Sequence, residues 1–255
     1  MAQGFLGVPD VDLWLFVGLT AASFFTHFFG MVTGAAGGLL LLATLASFFP
    51  PVIVVPMHTI IQLATNIGRV MIMWRLVLRH LLLPFLIGSA IGAFAGAQIF
   101  VSLPSGILQG IIACFILISM WLPRFAQLGQ AQGRFAVIGC AATFLGVFVS
   151  ATGTMVGPFV HHASPDRRNY VATFGALMVI MHSTKLLAFI SVGIALHAYA
   201  PLIVALIASG IFATWVGRQV LDKVPEKIFR VVFRVILTLL AIRLLFVAGR
   251  QMGLF

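Results

Sequence analysis

The sequence has few charged residues, and very few of them are acidic. Of its 255 residues, 62% are hydrophobic and only 8% are charged, whereas about a quarter of a soluble domain is charged. So few charges cannot cover a surface that faces water, which excludes a soluble globular protein. The composition predicts an all-α integral membrane protein whose surroundings are the lipid bilayer.

Cysteine is also scarce, and the excess of positive charge does not indicate a nucleic-acid partner. The net charge is +10, but the cations are scattered between apolar segments and form no basic face. Cations that keep loops in the cytoplasm explain this pattern better. The two cysteines, Cys114 and Cys140, each lie within an apolar run. The sequence therefore predicts no disulfide, no metal site and no cofactor.

Six uninterrupted apolar segments are long enough to cross a bilayer, for which about 20 residues of helix are needed. The predicted helices are 52–74, 81–101, 105–122, 170–196, 200–217 and 228–248. Two other apolar stretches, 12–49 and 135–164, are interrupted by the runs GMVTGAAGG and SATGTMVGP. Such breaks expose backbone groups that lipid cannot satisfy. Each stretch is therefore predicted to be a broken helix hairpin that is buried in protein or lines a cavity.

The two halves of the sequence resemble each other. A shift of 116 residues aligns Arg69 with Lys185, and a shift of 121 residues aligns Pro104 with Pro225. An ordered series of such matches predicts a duplication. The predicted first repeat, cytoplasmic linker and second repeat are residues 1–122, 123–134 and 135–255. Each repeat contains one broken hairpin followed by three transmembrane helices.

The distribution of cations predicts that the repeats are inverted. The loops that carry Lys or Arg are 75–80, 123–134, 165–168 and 218–230. All four loops lie on the cytoplasmic side if each broken hairpin crosses the membrane an even number of times. Three further crossings per repeat then give the two repeats opposite orientations. Inverted repeats with broken helices are typical of secondary transporters, whose substrate binds near the middle of the membrane.

Arg69 and Lys185 place positive charges within apolar helices. A charge at the centre of a bilayer costs at least about 2.5–3.5 kcal/mol, unless the side chain extends to the headgroups, which is an alternative for both residues. The only acids lie in loops or near chain ends, at Asp10, Asp12, Asp166, Asp222 and Glu226. Because no carboxylate is available at membrane depth, we predict that an anionic substrate supplies the missing negative charge.

The remaining candidate residues lie beside the two cations or at the glycine breaks. Half-helices that start near Thr33–Gly38 and Thr152–Gly157 would aim unsatisfied N–H groups and positive dipole ends at one anion. Besides the two cations, the predicted substrate-binding residues are Asn66, His182, Gln62, Thr33, Gly34, Gly37, Gly38, Thr152, Gly153 and Thr154. The alternative for any glycine is close helix packing, which we favour for Gly88, Gly92 and Gly96.

Several glycine-rich runs resemble a known family over essentially the whole chain. The runs GMVTGAAGG, GSAIGAFAGAQIF and GVFVSATGTMVGPF, followed by RRNYVATFGALMVIMHSTK, are similar to the TauE/SafE family of sulfite and organosulfonate exporters. This resemblance implies a multi-pass carrier of small sulfur oxyanions, such as sulfite or sulfoacetate, in the bacterial inner membrane. The family has a fuller glycine run in each half, so Gly153–Thr154 departs from its pattern.

Other functions are less well supported by the sequence. A membrane enzyme would need a nucleophile with its base, or a metal cluster, at membrane depth, and the sequence contains neither. The alternative to an exporter is an anion channel, or an importer of another small oxyanion such as thiosulfate. Export would follow the membrane potential, or it would be coupled to protons through His182. The sequence allows a homodimer and does not decide the oligomeric state.

Overall fold

The computed structural model describes residues 4–33, 37–121, 134–220 and 226–253. This part of the chain is helical and contains no β-strand, which confirms the predicted all-α class. Its α-helices are α1 Leu13–Thr33, α2 Gly37–Ala46, α3 Pro51–Met73, α4 Leu82–Ser102, α5 Ser105–Trp121, α6 Arg134–Val149, α7 Gly153–Ala163, α8 Arg167–Ser191, α9 Ala200–Val220 and α10 Glu226–Gln251.

Five of the described helices, α1, α3, α4, α8 and α9, contain segments long and apolar enough to cross a membrane. Each predicted membrane helix corresponds to a helix of the structure, but the predicted end of 170–196 is wrong because α8 ends at Ser191. Gly193 adopts a positive φ of 81°, and the N–H of Ile194 donates to the carbonyl of Phe189 at 3.0 Å. This glycine-based cap stops the helix although the apolar sequence continues.

Each predicted broken stretch is a pair of helices, α1 with α2 and α6 with α7. The second helix of each pair has 10 or 11 residues, which corresponds to about 15–17 Å. That length is about half the thickness of the hydrocarbon core. The two halves of the chain thus share the same order of a long helix, a short helix and three longer helices, as a duplication would produce. The inverted orientation stays a prediction.

The helices form two compact units, and neither coincides with a predicted repeat. Unit 1 contains Met1–Ile61, Ser105–Met120 and Ala195–Phe255, and unit 2 contains Gln62–Pro104 and Trp121–Ile194. In unit 1, α1 packs along α9; in unit 2, α4 packs along α6 and α8. Each unit therefore combines helices from both halves of the sequence. The boundaries 1–122 and 135–255 remain a prediction about duplication rather than a description of packing.

Unit 2 is built on close contact between α4 and α6. A Cβ atom on Gly88 would collide with the carbonyl of Ala136, and one on Gly92 would collide with the carbonyl of Cys140. Gly96, farther along α4, faces Val147, farther along α6. Because the contacts advance in the same direction along both helices, α4 and α6 run parallel. These glycines permit close helix packing, which is the role favoured for them from the sequence.

The third helix of this group, α8, is parallel to α4. Leu177 packs in one apolar cluster with Phe85, near the start of α4. Ala188, eleven residues later, packs with Ala93 and Ala97. The helices α4, α6 and α8 therefore begin at the same end of unit 2. This arrangement places the C-terminal half of α8 beside the end of α6, where the break before α7 occurs.

We predict that Gly92→Ala destabilises the protein and that Gly18→Ala does not. The added methyl group at Gly92 overlaps the backbone of α6, and overpacking of this kind costs about 1–3 kcal/mol. A Cβ atom on Gly18 meets nothing within 4 Å, so the better helix propensity of alanine is expected to stabilise α1 by up to about 1 kcal/mol. Thermal unfolding of both purified variants in detergent measures the difference. Equal stability of the two variants would contradict the described α4–α6 packing.

Candidate functional site

Lys185 is a fully buried cation in the second half of α8. Its exposed fraction is 0%, and its Nζ atom donates to the carbonyl of Gly146 at 3.1 Å and to the hydroxyl of Ser150 at 3.2 Å. The ammonium group therefore does not extend towards the lipid headgroups, which excludes the alternative left open for this residue.

The partners of Lys185 belong to the C-terminal end of α6. The carbonyl of Gly146 also accepts a bond from the N–H of Ser150 at 2.8 Å, so it is one of the last carbonyls of the helix. A helix C-terminus carries about half an elementary negative charge. Both partners are uncharged groups, and no carboxylate among the described residues bonds to Lys185. The local negative charge consequently falls short of the positive charge that it faces.

The backbone turns sharply between α6 and α7. Ser150 has a φ of +53°, a left-handed conformation that costs a residue with a side chain about 1–3 kcal/mol. This turn ends α6 at Val149, and Thr152 then precedes the first residue of α7. The ammonium of Lys185 bonds to the strained residue itself. Lys185 thus joins α8 to the break and brings its amino group to it.

Thr152 brings a second donor to the same place. Its side chain is fully buried, and its hydroxyl donates to the Sδ atom of Met181 at 3.3 Å. A thioether is a weak acceptor, so a stronger acceptor could readily take this hydrogen bond. A Cβ atom on Gly146 would lie 2.9 Å from the Thr152 hydroxyl and 3.6 Å from Cδ of Lys185. The absence of a side chain at Gly146 lets these two residues approach each other.

The first turn of α7 supplies further donors. Thr152 makes no side-chain cap for the helix, and its carbonyl accepts bonds from the N–H groups of Met155 and Val156. Within the described part of the chain, the N–H groups of Gly153 and Thr154 have no acceptor, as is usual at the start of a helix. These groups carry the positive end of the helix dipole.

The break between α6 and α7 therefore brings several hydrogen-bond donors together. An ammonium has three N–H bonds, and Lys185 uses two of them within the described residues. Its third N–H, the Thr152 hydroxyl and the first N–H groups of α7 are complementary to a ligand that only accepts hydrogen bonds. A small oxyanion is such a ligand, and charge-assisted bonds to it are about twice as strong as neutral ones. We refer to this group of residues as the α6–α7 pocket.

The structure describes some of the other predicted site residues in α3 and α8 but not all of them. His182 lies in α8 three residues before Lys185 and is 3% exposed. Asn66 is 7% exposed, and its side-chain amide donates to the carbonyl of half-buried Gln62 in the same helix at 2.8 Å. Arg69 lies in α3, but its side chain is outside the described residues. That Arg69 and Lys185 lie close together stays a prediction.

The first break shows a packing role for one of its predicted glycines. A Cβ atom on Gly37 would lie 2.6 Å from the Cα of Gly30, so Gly37 permits α1 and α2 to touch. The carbonyl of Gly38 accepts a hydrogen bond from Nε2 of His58 at 2.9 Å. Gly34 and the side chain of Thr33 lie outside the described residues. Anion binding at the first break therefore stays a prediction.

Three residues of the α6–α7 pocket were missed by sequence reasoning. None of the three, Gly146, Ser150 and Met181, was among the predicted substrate-binding residues. Ser150 lies in the run SATGT that marks the break, which is a signal that could have found it. Gly146 takes part through its backbone carbonyl, and Met181 through an apolar side chain. Neither contact has a recognisable residue pattern.

Another cation in an apolar helix was also overlooked. Arg243, in α10 of unit 1, donates from its guanidinium to the carbonyl of Ser47 at 3.2 Å. The same guanidinium lies over the ring of Phe48, 5.8 Å from its centre. Unlike Lys185, this side chain is exposed. Its hydrogen bond caps the end of α2. Among the described residues, a fully buried cation lies at the α6–α7 pocket.

Long apolar helices interrupted at two breaks define this chain as a multi-pass membrane protein. A sequence profile of the family described as sulfite exporter TauE/SafE matches residues 19–244. The chain belongs to this family, which confirms the resemblance noted from its glycine-rich runs. No curated protein and no solved structure matches the chain. Membership makes the protein a transporter of the sulfite-exporter type, with a small anionic substrate and a membrane location.

We predict that Lys185→Met keeps the protein folded but abolishes its response to anions. Methionine retains the apolar stem of lysine and removes a buried charge that lacks a full counter-charge, so the stability without ligand should be unchanged or higher. A ligand that binds the native state raises its apparent stability. Thermal unfolding of the wild type with sulfite should show this increase, and the variant should not.

Lys185→Arg serves as the control because it keeps the charge, and it should retain part of the response to sulfite. A lower melting temperature of Lys185→Met without ligand, together with a normal increase on adding sulfite, would show that Lys185 only holds the break together.

Proposed function

We propose that the protein exports small sulfur oxyanions, such as sulfite or organosulfonates like sulfoacetate, across the bacterial inner membrane. The substrate would bind in the α6–α7 pocket of unit 2. The observation that carries this proposal is the group of donors around Lys185, whose Nζ atom is buried without a carboxylate partner among the described residues. Family membership supports the choice of a sulfur oxyanion among small anions.

The pocket suits an anion because binding would satisfy several groups at once. The third N–H of Lys185 would bond to one oxygen, and the Thr152 hydroxyl would exchange the sulfur of Met181 for a second oxygen. The N–H groups of Gly153 and Thr154 would face the same ligand through the helix dipole. A hydrogen bond to a charged group contributes about 1.5–3 kcal/mol. Three or four such bonds would offset the cost of removing a small anion from water.

Transport would proceed by alternating access between the two predicted inverted repeats, with the anion exposed first to the cytoplasm and then to the outside. Arg69 would join the site in at least one of these states, as the pairing of Arg69 with Lys185 in the sequence suggests. In this scheme, removal of either cation abolishes anion binding. The possible homodimer is not required for the scheme, because the described pocket lies within one unit of one chain.

The membrane potential would supply the driving force. An inside-negative potential of 100 mV favours the exit of one negative charge by about 2.3 kcal/mol, and that of a dianion by about twice as much. A proton relay in the membrane usually requires Asp, Glu or His. His182, three residues from Lys185 in α8, is the candidate for a relay if export is coupled to protons instead.

We expect Thr152→Val to slow transport strongly, because valine keeps the shape of threonine but lacks the hydroxyl. Loss of one hydrogen bond to an anion should lower sulfite flux into or out of proteoliposomes about 10- to 100-fold. Thr143→Val is the matched control. Thr143 is also fully buried in α6 and donates to the hydroxyl of Ser89 at 3.0 Å, on the side that faces α4.

The control variant should transport within about twofold of the wild type, and Thr152→Ser should retain most of the flux. An equal loss of flux in Thr152→Val and Thr143→Val would assign the effect to helix packing. It would remove Thr152 from the binding site.

We also expect sulfite flux to increase with membrane potential when the pH gradient is zero. The protein is reconstituted in liposomes, and the potential is imposed with a potassium gradient and valinomycin. If the flux follows only the pH gradient, export is coupled to protons, with His182 as the candidate relay, and is not driven by the potential. Flux far above the rates of carriers would instead indicate an anion channel, and net uptake against the potential would indicate an importer of an oxyanion such as thiosulfate.

A further inference from the structure

The loop between α3 and α4, residues 74–81, is fixed to the first turns of α8 in unit 2. The side-chain amide of Asn169 donates to the carbonyl of Leu76 at 2.8 Å. The N–H of Leu78 donates to the hydroxyl of Thr173 at 3.0 Å. These bonds join two parts of the chain that are more than 90 residues apart. The loop therefore has a defined position at the end of unit 2 where α4, α6 and α8 begin.

Exposed cations gather at this end. Arg75 and Arg79 lie in the loop, Arg168 lies in the first turn of α8 and Arg134 is the first residue of α6. The parallel α4, α6 and α8 also direct the positive ends of their dipoles here. The carboxylate of Asp166 is already used to cap the start of α8, where it accepts an N–H bond at 2.8 Å. We call these four arginines the basic end of unit 2.

An exposed apolar stripe of α4 begins next to Arg79. Leu83, Ile87, Ile91 and Phe94 are 64%, 53%, 60% and 44% exposed. They recur every three or four residues, so they share one face of the helix. The glycine face of α4 packs on α6, whereas the side chains of this stripe are exposed. Arg79 precedes Leu83 by four residues and therefore lies close to the end of the stripe.

Trp74 marks the depth of this region in the membrane. The guanidinium of Arg79 lies 5.3 Å from the centre of the Trp74 ring, and the tryptophan is 45% exposed. Tryptophan is enriched at the level of lipid headgroups because its ring is amphipathic. Stacking on the ring holds the guanidinium of Arg79 in one orientation. A planar, oriented guanidinium can bind a phosphate through two parallel hydrogen bonds.

We infer that the basic end of unit 2 binds the headgroup of an anionic phospholipid. The phosphate bonds to Arg79, with Arg75 and Arg168 nearby, and an acyl chain lies along the exposed stripe of α4. A zwitterionic lipid provides the same acyl chain but no net negative charge for these cations. A dissolved anion provides the charge but makes no use of the apolar stripe. An anionic lipid is the partner that fits both features.

The test compares lipid binding to the full-length protein and to the double variant Arg75→Gln with Arg79→Gln. Native mass spectrometry of the protein in detergent measures the binding of phosphatidylglycerol and of phosphatidylcholine with the same acyl chains. We expect the wild type to prefer phosphatidylglycerol. Loss of two cations near the membrane surface should weaken its binding about thirtyfold and leave phosphatidylcholine binding nearly unchanged.

The matched control is the double variant Arg243→Gln with Arg250→Gln, which removes two other exposed cations, each lying over a phenylalanine ring in unit 1. It should retain the preference for phosphatidylglycerol, and both variants should unfold at temperatures close to that of the wild type. Equal binding of the two lipids to the wild type would overturn the inference. So would an equal loss in both variants, or displacement of the lipid by millimolar sulfite or inorganic phosphate, which would show a site for dissolved anions instead.

Discussion

The amino group of Lys185 lies in a place that the solvent does not reach. It remains there because the end of α6 offers a carbonyl and a hydroxyl at hydrogen-bond distance. These groups supply only part of the negative charge that an ammonium requires. The helix break, the left-handed Ser150 and the uncapped start of α7 are all parts of this one arrangement. An anion would complete it, and a transporter needs a binding site that is incomplete when empty.

The packing around α6 determines where this charge can lie. Gly88, Gly92 and Gly139 let α4 and α6 approach so closely that their backbones touch. In a bilayer, such contact replaces the hydrophobic effect as a source of helix association, because lipid is as apolar as the side chains. The close contact holds α6 beside α4, and α8 packs on the same helix. Lys185 on α8 is thereby brought to the end of α6.

Much of the fold could be predicted from the sequence. The scarcity of charge indicated a membrane protein, the lengths of apolar runs located the long helices, and the glycine-containing runs located both breaks. The prediction failed at the end of α8, because an apolar run continues past a glycine cap at Gly193. The candidate site was predicted in part. Lys185, Thr152 and Gly153 lie at one break, whereas Gly37 has a packing contact and Asn66 donates a hydrogen bond to its own helix.

The sequence by itself determined the class of the protein, the order of its helices and the presence of cations within apolar segments, since these depend on composition and on local patterns. Only the tertiary structure decided that Lys185 bonds to the end of α6 and that the Thr152 hydroxyl faces a sulfur atom. Both contacts join residues that are distant in the chain, and they depend on a backbone carbonyl and on an apolar side chain. Every residue has a carbonyl, so a sequence pattern cannot show which one accepts a bond.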